Sequence, residues 1–439
     1  MSATIGKESP AVGPSPGAPV AVAAGGGLVA RTRRWRSPVV LWAVAVLSLV
    51  GFAASVSGDE RSGFSLSETG AAIPLPAVDV PSRAAILVLG VLALAVAAWA
   101  TWRAIRGARV GGAWLAVFGV LVVAAFLVWA VSGNTISLVN LLRGSVFLAV
   151  PLAFGAMSGV LCERAGVINI AIEGQLLAGA FASAVTASLT GSVYAGLLAA
   201  VAAGVLVAFL LAVFAVRFVV DQIVLGVVLN VLVIGVTSFL YGQLLVRDQD
   251  VWNAPERLQR LRIPVLADVP VVGPVLFDQT IIVYAMYLTV AALAFLLFRT
   301  RWGLRVRAVG EHPKAADTAG IDVNGLRFRN VLYGGAVAGF GGSFYTLGAV
   351  GAFGEEMTAG QGFIALAALI FGRWTPVGAL LAALLFGFAT NLQSVLSIIA
   401  TPIPGEFLLM APYLATIFAV AGLVGKVRAP AADGVPYRP

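Results

Sequence analysis

Uncharged apolar runs of about twenty residues recur along this chain, and no other feature constrains it as strongly. Such a run is what a helix needs to cross a hydrocarbon core about 30 Å thick. The runs cover Pro38–Val56, Ala84–Trp102, Ala113–Val131, Ser145–Leu161, Val193–Val216, Gln222–Leu244, Gln279–Phe298, Val331–Gly348, Val377–Leu396 and Phe407–Leu423. Another begins after Glu163 and continues to Ala187, and Gly360–Gly372 is too short for an untilted crossing. With 60% hydrophobic and only 11% charged residues, the chain lies outside the ordinary globular balance. The expected fold is all-α: a polytopic integral membrane protein of about 12 hydrophobic segments, one of them short or re-entrant.

Charge orients the segments. The net charge of +8 comes from Arg and Lys at the ends of runs, not from one amphipathic stripe. That pattern suits loops facing anionic lipid and argues against nucleic-acid binding. Residues 1–30 are rich in Gly, Pro, Ala and Ser, and RTRRWR follows at Arg31–Arg36, so residues 1–37 read as a disordered, basic cytoplasmic tail. A secretory signal peptide is the rival reading of the first run; its length and the many runs after it favour a retained span. The loop RAIRGAR at Arg103–Arg109 and the terminal Lys426 and Arg428 also belong inside. Twelve crossings place both termini in the cytoplasm of a cell membrane. A re-entrant Gly360–Gly372 gives eleven and puts the basic C-terminus outside, against its charge.

The stretch Arg299–Arg329 is the longest polar insert in the C-terminal half, with seven basic residues against Glu311, Asp317 and Asp322. Pro313 suits a first helical position and Gly320 the residue after a helix end, so Pro313–Ala319 is expected to form a short helix. Two turns are marginal alone in water. Ala315, Ala316, Ala319 and Ile321 beside charges suggest a surface built to dock. The plainer alternative is a solvated connector, basic because cytoplasmic loops usually are.

The run GLRVRAVGEHPKAADTAGIDV (Gly303–Val323) resembles the cytoplasmic coupling loop of permease subunits of ATP-binding-cassette (ABC) importers. The resemblance is to the ribose and branched-chain amino acid superfamily, in the nucleoside branch that works with basic membrane protein lipoproteins. ERAGVINIAIEGQLLAGAF (Glu163–Phe181) and DQIVLGVVLNVLVIGVTSFL (Asp221–Leu240) resemble the same branch. The likeness divides the chain into the tail 1–37, a three-span N-terminal extension 38–137, a permease core 138–428 with its coupling loop at 299–329, and a C-terminal tail 429–439. It implies coupling to an ABC ATPase through Glu311, Pro313, Ala315, Ala316 and Gly320. His312 stands where most relatives carry Asn, a better helix cap.

Within the core, polar residues inside apolar runs are the candidate substrate pathway: Asn169, Glu173, Gln175, Asn230, Tyr345 and Asn391. A carboxylate at the bilayer centre costs on the order of 3 kcal/mol, so Glu173 needs a water-filled route or a polar partner. Either the helix is broken there or Glu173 lines a route; pairing with an Arg as a helix clamp is the alternative. Gly166–Asn169 resembles the superfamily's unwound membrane segment, where half-helix ends meet a polar solute. Asn230 suits either a helix-to-helix bridge or a substrate contact.

The chemistry that is missing narrows the function. There is no GxxxxGK[ST], GxSxG or HExxH, and the chain has one Cys (Cys162) and one His (His312). Neither a metal site nor an enzyme active site is expected, and ATP and Mg belong on a partner ATPase. Two classes survive: a permease driven by that ATPase, or a self-contained secondary transporter or channel using Glu173. The resemblance selects the first, with nucleosides ahead of simple sugars and branched-chain amino acids. It also implies a second copy or a homologous permease, a substrate-binding lipoprotein meeting the 245–278 loop, and the lipid bilayer as partners.

Overall fold

The structure is a computed structural model describing residues 35–68, 73–108, 110–399, 410 and 428–438. Residues 1–34 of the tail expected over 1–37 and, apart from Met410, the span expected at Phe407–Leu423 lie outside the described residues, and the first helix already begins at Arg36. Among the described residues, nine helices are long and apolar enough to cross a membrane.

The N-terminal extension holds α1 (Arg36–Ser55), β1 (Arg61–Ser65), β2 (Val78–Pro81), α2 (Ser82–Ile105) and α3 (Gly112–Ala130). Its helices pack through Leu41, Ala45, Ala97, Ala100 and Phe118, and Phe52 stacks on Trp129 at 4.8 Å. The polar stretches between these helices carry short strands. β1 pairs antiparallel with β2 and parallel with β3 (Thr135–Ser137), which runs directly into α4 (Leu138–Glu163). Arg143 of α4 is ion-paired with Glu68 of the extension at 2.7 Å and also with Asp278, so one guanidinium joins the extension to the core.

After α4 come α5 (Ile172–Thr190), α6 (Val193–Ala212) and α7 (Gln222–Leu240). Next are α8 (Gln249–Trp252), β4 (Arg260–Arg262), α9 (Val272–Leu276), β5 (Asp278–Thr280) and α10 (Ile281–Arg299), with β4 and β5 antiparallel. The chain continues through α11 (Arg301–Glu311), α12 (Pro313–Thr318), α13 (Val323–Ser343), α14 (Gln361–Phe371) and α15 (Pro376–Ile398). Local signals set these limits. Asp221 accepts from the Ile223 and Val224 amides at the start of α7, and Asp322 from the Gly325 amide at the start of α13. A left-handed Gly191 ends α5.

Glycine sets the distance between the central helices. A Cβ on Gly204 would lie 2.2 Å from the Gly335 carbonyl oxygen, one on Gly339 2.3 Å from that of Ala200, and one on Gly342 2.0 Å from that of Leu176. Backbone therefore meets backbone where α13 crosses α6 and α5, as small residues permit in an apolar solvent. Around this seam Leu176, Leu177, Leu211 and Val331 form one buried cluster, and Phe154, Met157, Met286 and Phe386 another.

The two ends of the bundle differ. One, the basic end, carries α11, α12 and residues 428–438; the other carries both sheets. The expected single short helix in 299–329 proves to be three helical pieces. In α11, Val306 and Val309 turn inward while Arg301 and Arg305 stay exposed. α13 begins eight residues before the expected Val331, because Arg327 and Asn330 are buried against protein and so escape a hydropathy criterion. Gly360–Gly372 belongs to a passage between the ends. The chain reaches the sheet end in the π-helical turn Phe344–Val350 and descends through the irregular residues 351–360. α14 then carries it to the basic end, where the Trp374 carbonyl accepts from Arg164.

Candidate functional site

The helix that begins at Leu138 breaks over residues 164–171 before resuming as α5. Gly166 takes φ 87°, and its missing side chain leaves room for the Arg327 guanidinium, which a Cβ would approach to 2.7 Å. A broken helix leaves backbone groups without intrahelical partners, and each must find another. Arg327, almost wholly buried, donates to the Ala165 carbonyl at 3.1 Å. Gln222 of α7 accepts from the Ile168 amide at 2.8 Å. Asn230 serves both sides of the break, accepting from the Gly174 amide at 2.8 Å and donating to the Ile170 carbonyl at 2.9 Å.

Asn169 and Gln175 meet across the same break. Asn169 Nδ2 donates to Gln175 Oε1 at 3.0 Å and to Ser158 Oγ at 3.1 Å, while Gln175 Nε2 donates back to Asn169 Oδ1 at 3.3 Å. All three side chains are fully buried. Glu173 stands in the first turn of α5 and turns to a different element. Its Oε1 accepts from Thr358 Oγ1 at 2.6 Å and the Gly360 amide at 2.8 Å, and its Oε2 from the Gly362 amide at 2.6 Å. The carboxylate thus caps the N-terminus of α14, where an anion is favoured by both free amides and helix dipole. Among the described residues no Arg pairs with it, so the alternative of an Arg–Glu clamp gives way to a carboxylate–backbone clip. Tyr345 joins this group through its hydroxyl, which donates to Gln361 Oε1 at 3.0 Å.

Five of the six pathway candidates therefore gather around two helix breaks. Asn391 does not: it donates from α15 to the Leu141 carbonyl of α4 at 2.7 Å. Leu141 lies 17 residues from Ser158, about 25 Å along the helix at 1.5 Å per residue. Its role in this structure is a helix-to-helix bridge near the sheet end.

Of the coupling candidates, Pro313 opens α12 and Gly320 follows it at φ 80°, in the left-handed region that glycine adopts freely. His312 gives the helix no side-chain cap. Ala315 and Ala319 are exposed. Ala316, expected to dock, points instead into the bundle's own core, because neighbours in sequence point about 100° apart on a helix and Ala315 and Ala319, four apart, already share the outer face. Glu311 accepts from the Ala431 amide at 3.3 Å.

That last contact belongs to a group that no sequence pattern brings together. Residues 428–438, expected as a simple tail, fold back onto the basic end. The Ala432 amide donates to the Gly310 carbonyl at 2.8 Å and Arg327 Nη1 to the Val435 carbonyl at 2.8 Å. The Asp433 carboxyl lies beside that of Glu163, to which the Trp374 indole donates. Burial pushes the Asp433 carboxyl up to about 7, against the opposing pull of Glu163's hydrogen bond and the Arg327 charge. Burial likewise holds the Arg164 guanidinium below its ordinary value, with Glu311 opposing. Arg327 was counted in the sequence as one more loop cation, and nothing distinguished Glu163 or Asp433 from solvated charges.

A family model described as "Branched-chain amino acid transport system / permease component" matches residues 140–424. The guanosine ABC transporter permease protein NupQ of Bacillus subtilis (strain 168) is 41% identical over 301 residues, covering 66% of this chain and 93% of that protein. The nucleoside ABC transporter permease protein NupC of Lactococcus lactis subsp. cremoris is 41% identical over 311 residues, covering 69% of this chain and 98% of that one. A Haloferax volcanii permease provisionally assigned to glucose is 33% identical over 254 residues, 58% of this chain and 77% of its own. No solved structure matches.

Proposed function

The chain belongs to the family of permease components of branched-chain amino acid transport systems, and from that premise we propose that it is the membrane subunit of an ATP-driven importer of nucleosides. It carries no ATPase motif, so ATP and Mg bind to partner ATPase subunits. A second permease, a homologue or another copy, completes the membrane core. A substrate-binding lipoprotein delivers the solute at the sheet end. The basic end faces the cytoplasm, as the excess of Arg there favours.

One observation carries this reading. Gly310, at the end of α11, lies directly on the Arg164 carbonyl, the first residue of the broken segment that positions Asn169, Gln175 and Asn230. Force applied at α12 from an ATPase meets the break after one packed contact. The buried amides and hydroxyls suit a neutral, hydrogen-bonding solute, and Glu173 is occupied by three protein donors. A gradient-driven carrier needs a carboxylate free to exchange a cation or proton. The test is uptake of labelled guanosine, adenosine and uridine by cells producing the chain with its ATPase and lipoprotein, competed with ribose, xylose and leucine. Uptake lost on ATPase inactivation and blocked only by nucleosides supports the reading. Uptake that survives inactivation overturns it.

A further inference from the structure

Residues 351–360 are the most contorted stretch of the core. Gly351 (φ 79°), Glu356 (φ 48°), Ala359 (φ 46°) and Gly360 (φ 78°) all lie in the left-handed region, and two of these are not glycine. Such a conformation is strained for a non-glycine residue and persists only where its surroundings hold it. The lower end of the stretch is held by Glu173 through Thr358, Gly360 and Gly362. The upper end is held from the loop between α7 and β4. Asn253 Nδ2 donates to the Phe353 carbonyl at 2.9 Å, and the Phe353 amide donates to Asn253 Oδ1 at 2.6 Å.

This pair has the form of one rung of a β-ladder, with a side-chain amide replacing a strand. Both residues are buried, so neither bond is exchanged freely with water. The Phe353 ring lies edge-on to Phe181 of α5 at 5.2 Å and within 6.0 Å of Tyr241. The same loop is stitched on again one turn earlier, where the Leu258 amide donates to the Leu347 carbonyl at 2.9 Å and Arg257 to the Val350 carbonyl. Three of these four bonds run from loop donors to backbone carbonyls at 347–353, and the fourth returns from the Phe353 amide to Asn253, so displacement of the loop displaces the segment as a unit.

We propose that Asn253 is a positioning residue for transport: it links the loop on which the solute-delivering protein lands to segment 351–360, and through that segment to the Glu173 clip inside the bundle. The proposal rests on the importer reading above. A docked protein that binds more tightly to a displaced form of the 246–258 loop draws residues 351–360 with it and loosens Glu173 from the α14 N-terminus. Only such differential affinity can shift the equilibrium.

The experiment compares wild type with Asn253→Ala in the complete complex with its ATPase and lipoprotein, in lipid. Lipoprotein-stimulated ATP hydrolysis and nucleoside uptake are expected to fall about tenfold or more. Complex assembly, lipoprotein binding and unstimulated hydrolysis are expected to stay within about twofold of wild type. Retained stimulation in a properly assembled Asn253→Ala complex overturns the proposal. So does a loss of stimulation that is fully accounted for by weaker lipoprotein binding. If Asn253→Ala fails to assemble, Asn253→Asp, which still accepts from the Phe353 amide but cannot donate to its carbonyl, carries the same comparison. Wild-type hydrolysis that never responds to lipoprotein instead sinks the importer reading and leaves no role to assign.

Discussion

Gly310 packs on Arg164 so closely that a Cβ on the glycine would stand 2.2 Å from the Arg164 carbonyl oxygen. Two structural parts meet there with no side chain between them: the amphipathic α11 and the first residue of the broken helix. A methyl group at 310 forces one of them to move. Overpacking of this kind costs about 1–3 kcal/mol. Gly310→Ala is expected to lower the thermal midpoint of the purified permease and to cut uptake further than the loss of folded protein explains. Unchanged uptake per folded molecule would mean that the contact carries packing alone.

Glu173→Gln tests the clip. The amide keeps one acceptor oxygen and turns a donor toward one of three groups that are themselves donors. A buried mismatch of that kind costs about 1–3 kcal/mol. The expected result is a complex that assembles, melts earlier and transports poorly. Wild-type uptake at an unchanged thermal midpoint would show that the clip carries no load.

Asn169→Leu removes both halves of its reciprocal pair with Gln175 and leaves that side chain buried with only the long contact to Ser158, at 3.4 Å. Uptake is expected to fall with the complex still assembled. Normal uptake would make the amide pair a packing device only.

The two faces of α12 separate docking from folding. Ala319→Glu adds a charge at an exposed position and is expected to weaken ATPase association without changing thermal stability. Ala316→Glu buries a carboxylate in the bundle's core and is expected to deplete the folded protein, by several kcal/mol. Co-purification with the ATPase and a thermal melt distinguish them; equal ATPase binding by Ala319→Glu would place the coupling contact elsewhere.

Residues 428–438 should hold to the basic end in a pH-dependent way. Asp433, facing Glu163 and Arg327, has its carboxyl raised to about 7 when docked, above the ordinary 3.8. The docked form therefore binds more protons than the released form between these values. Docking is fully stabilised below about pH 4 and weakens as pH rises through about 7. Hydrogen exchange at the Ala431 and Ala432 amides, compared at each pH with Asp433→Asn, should show progressively less protection in wild type and a flat response in the variant. A flat wild-type response would remove the carboxyl pair as the cause.

Much of the architecture could be read because lipid makes apolar length decisive. The bounds of α12 followed from Pro313 and Gly320, whose backbone needs are local. Glu173 could be singled out because a lone carboxylate in an apolar run must be satisfied, yet its partners lie about 185 residues away on a segment with no distinguishing pattern. Arg327 and Asn330 misled for the opposite reason: hydropathy treats every cation and every amide as wet, and these two are buried in protein. Ala316 misled because composition does not say which side of a two-turn helix faces home. Asp433 could not have been found at all, since its meaning depends wholly on Glu163.

The glycine seam has a mechanical consequence. Side chains let neighbouring helices slide and reseat, and between α6 and α13 there are none to do so where Gly204 meets Gly339. These helices must travel as a single slab. Any alternation between outward and inward openings is then left to two non-helical stretches beside them, residues 164–171 and 351–360, which flank the slab like paired hinges on a door leaf.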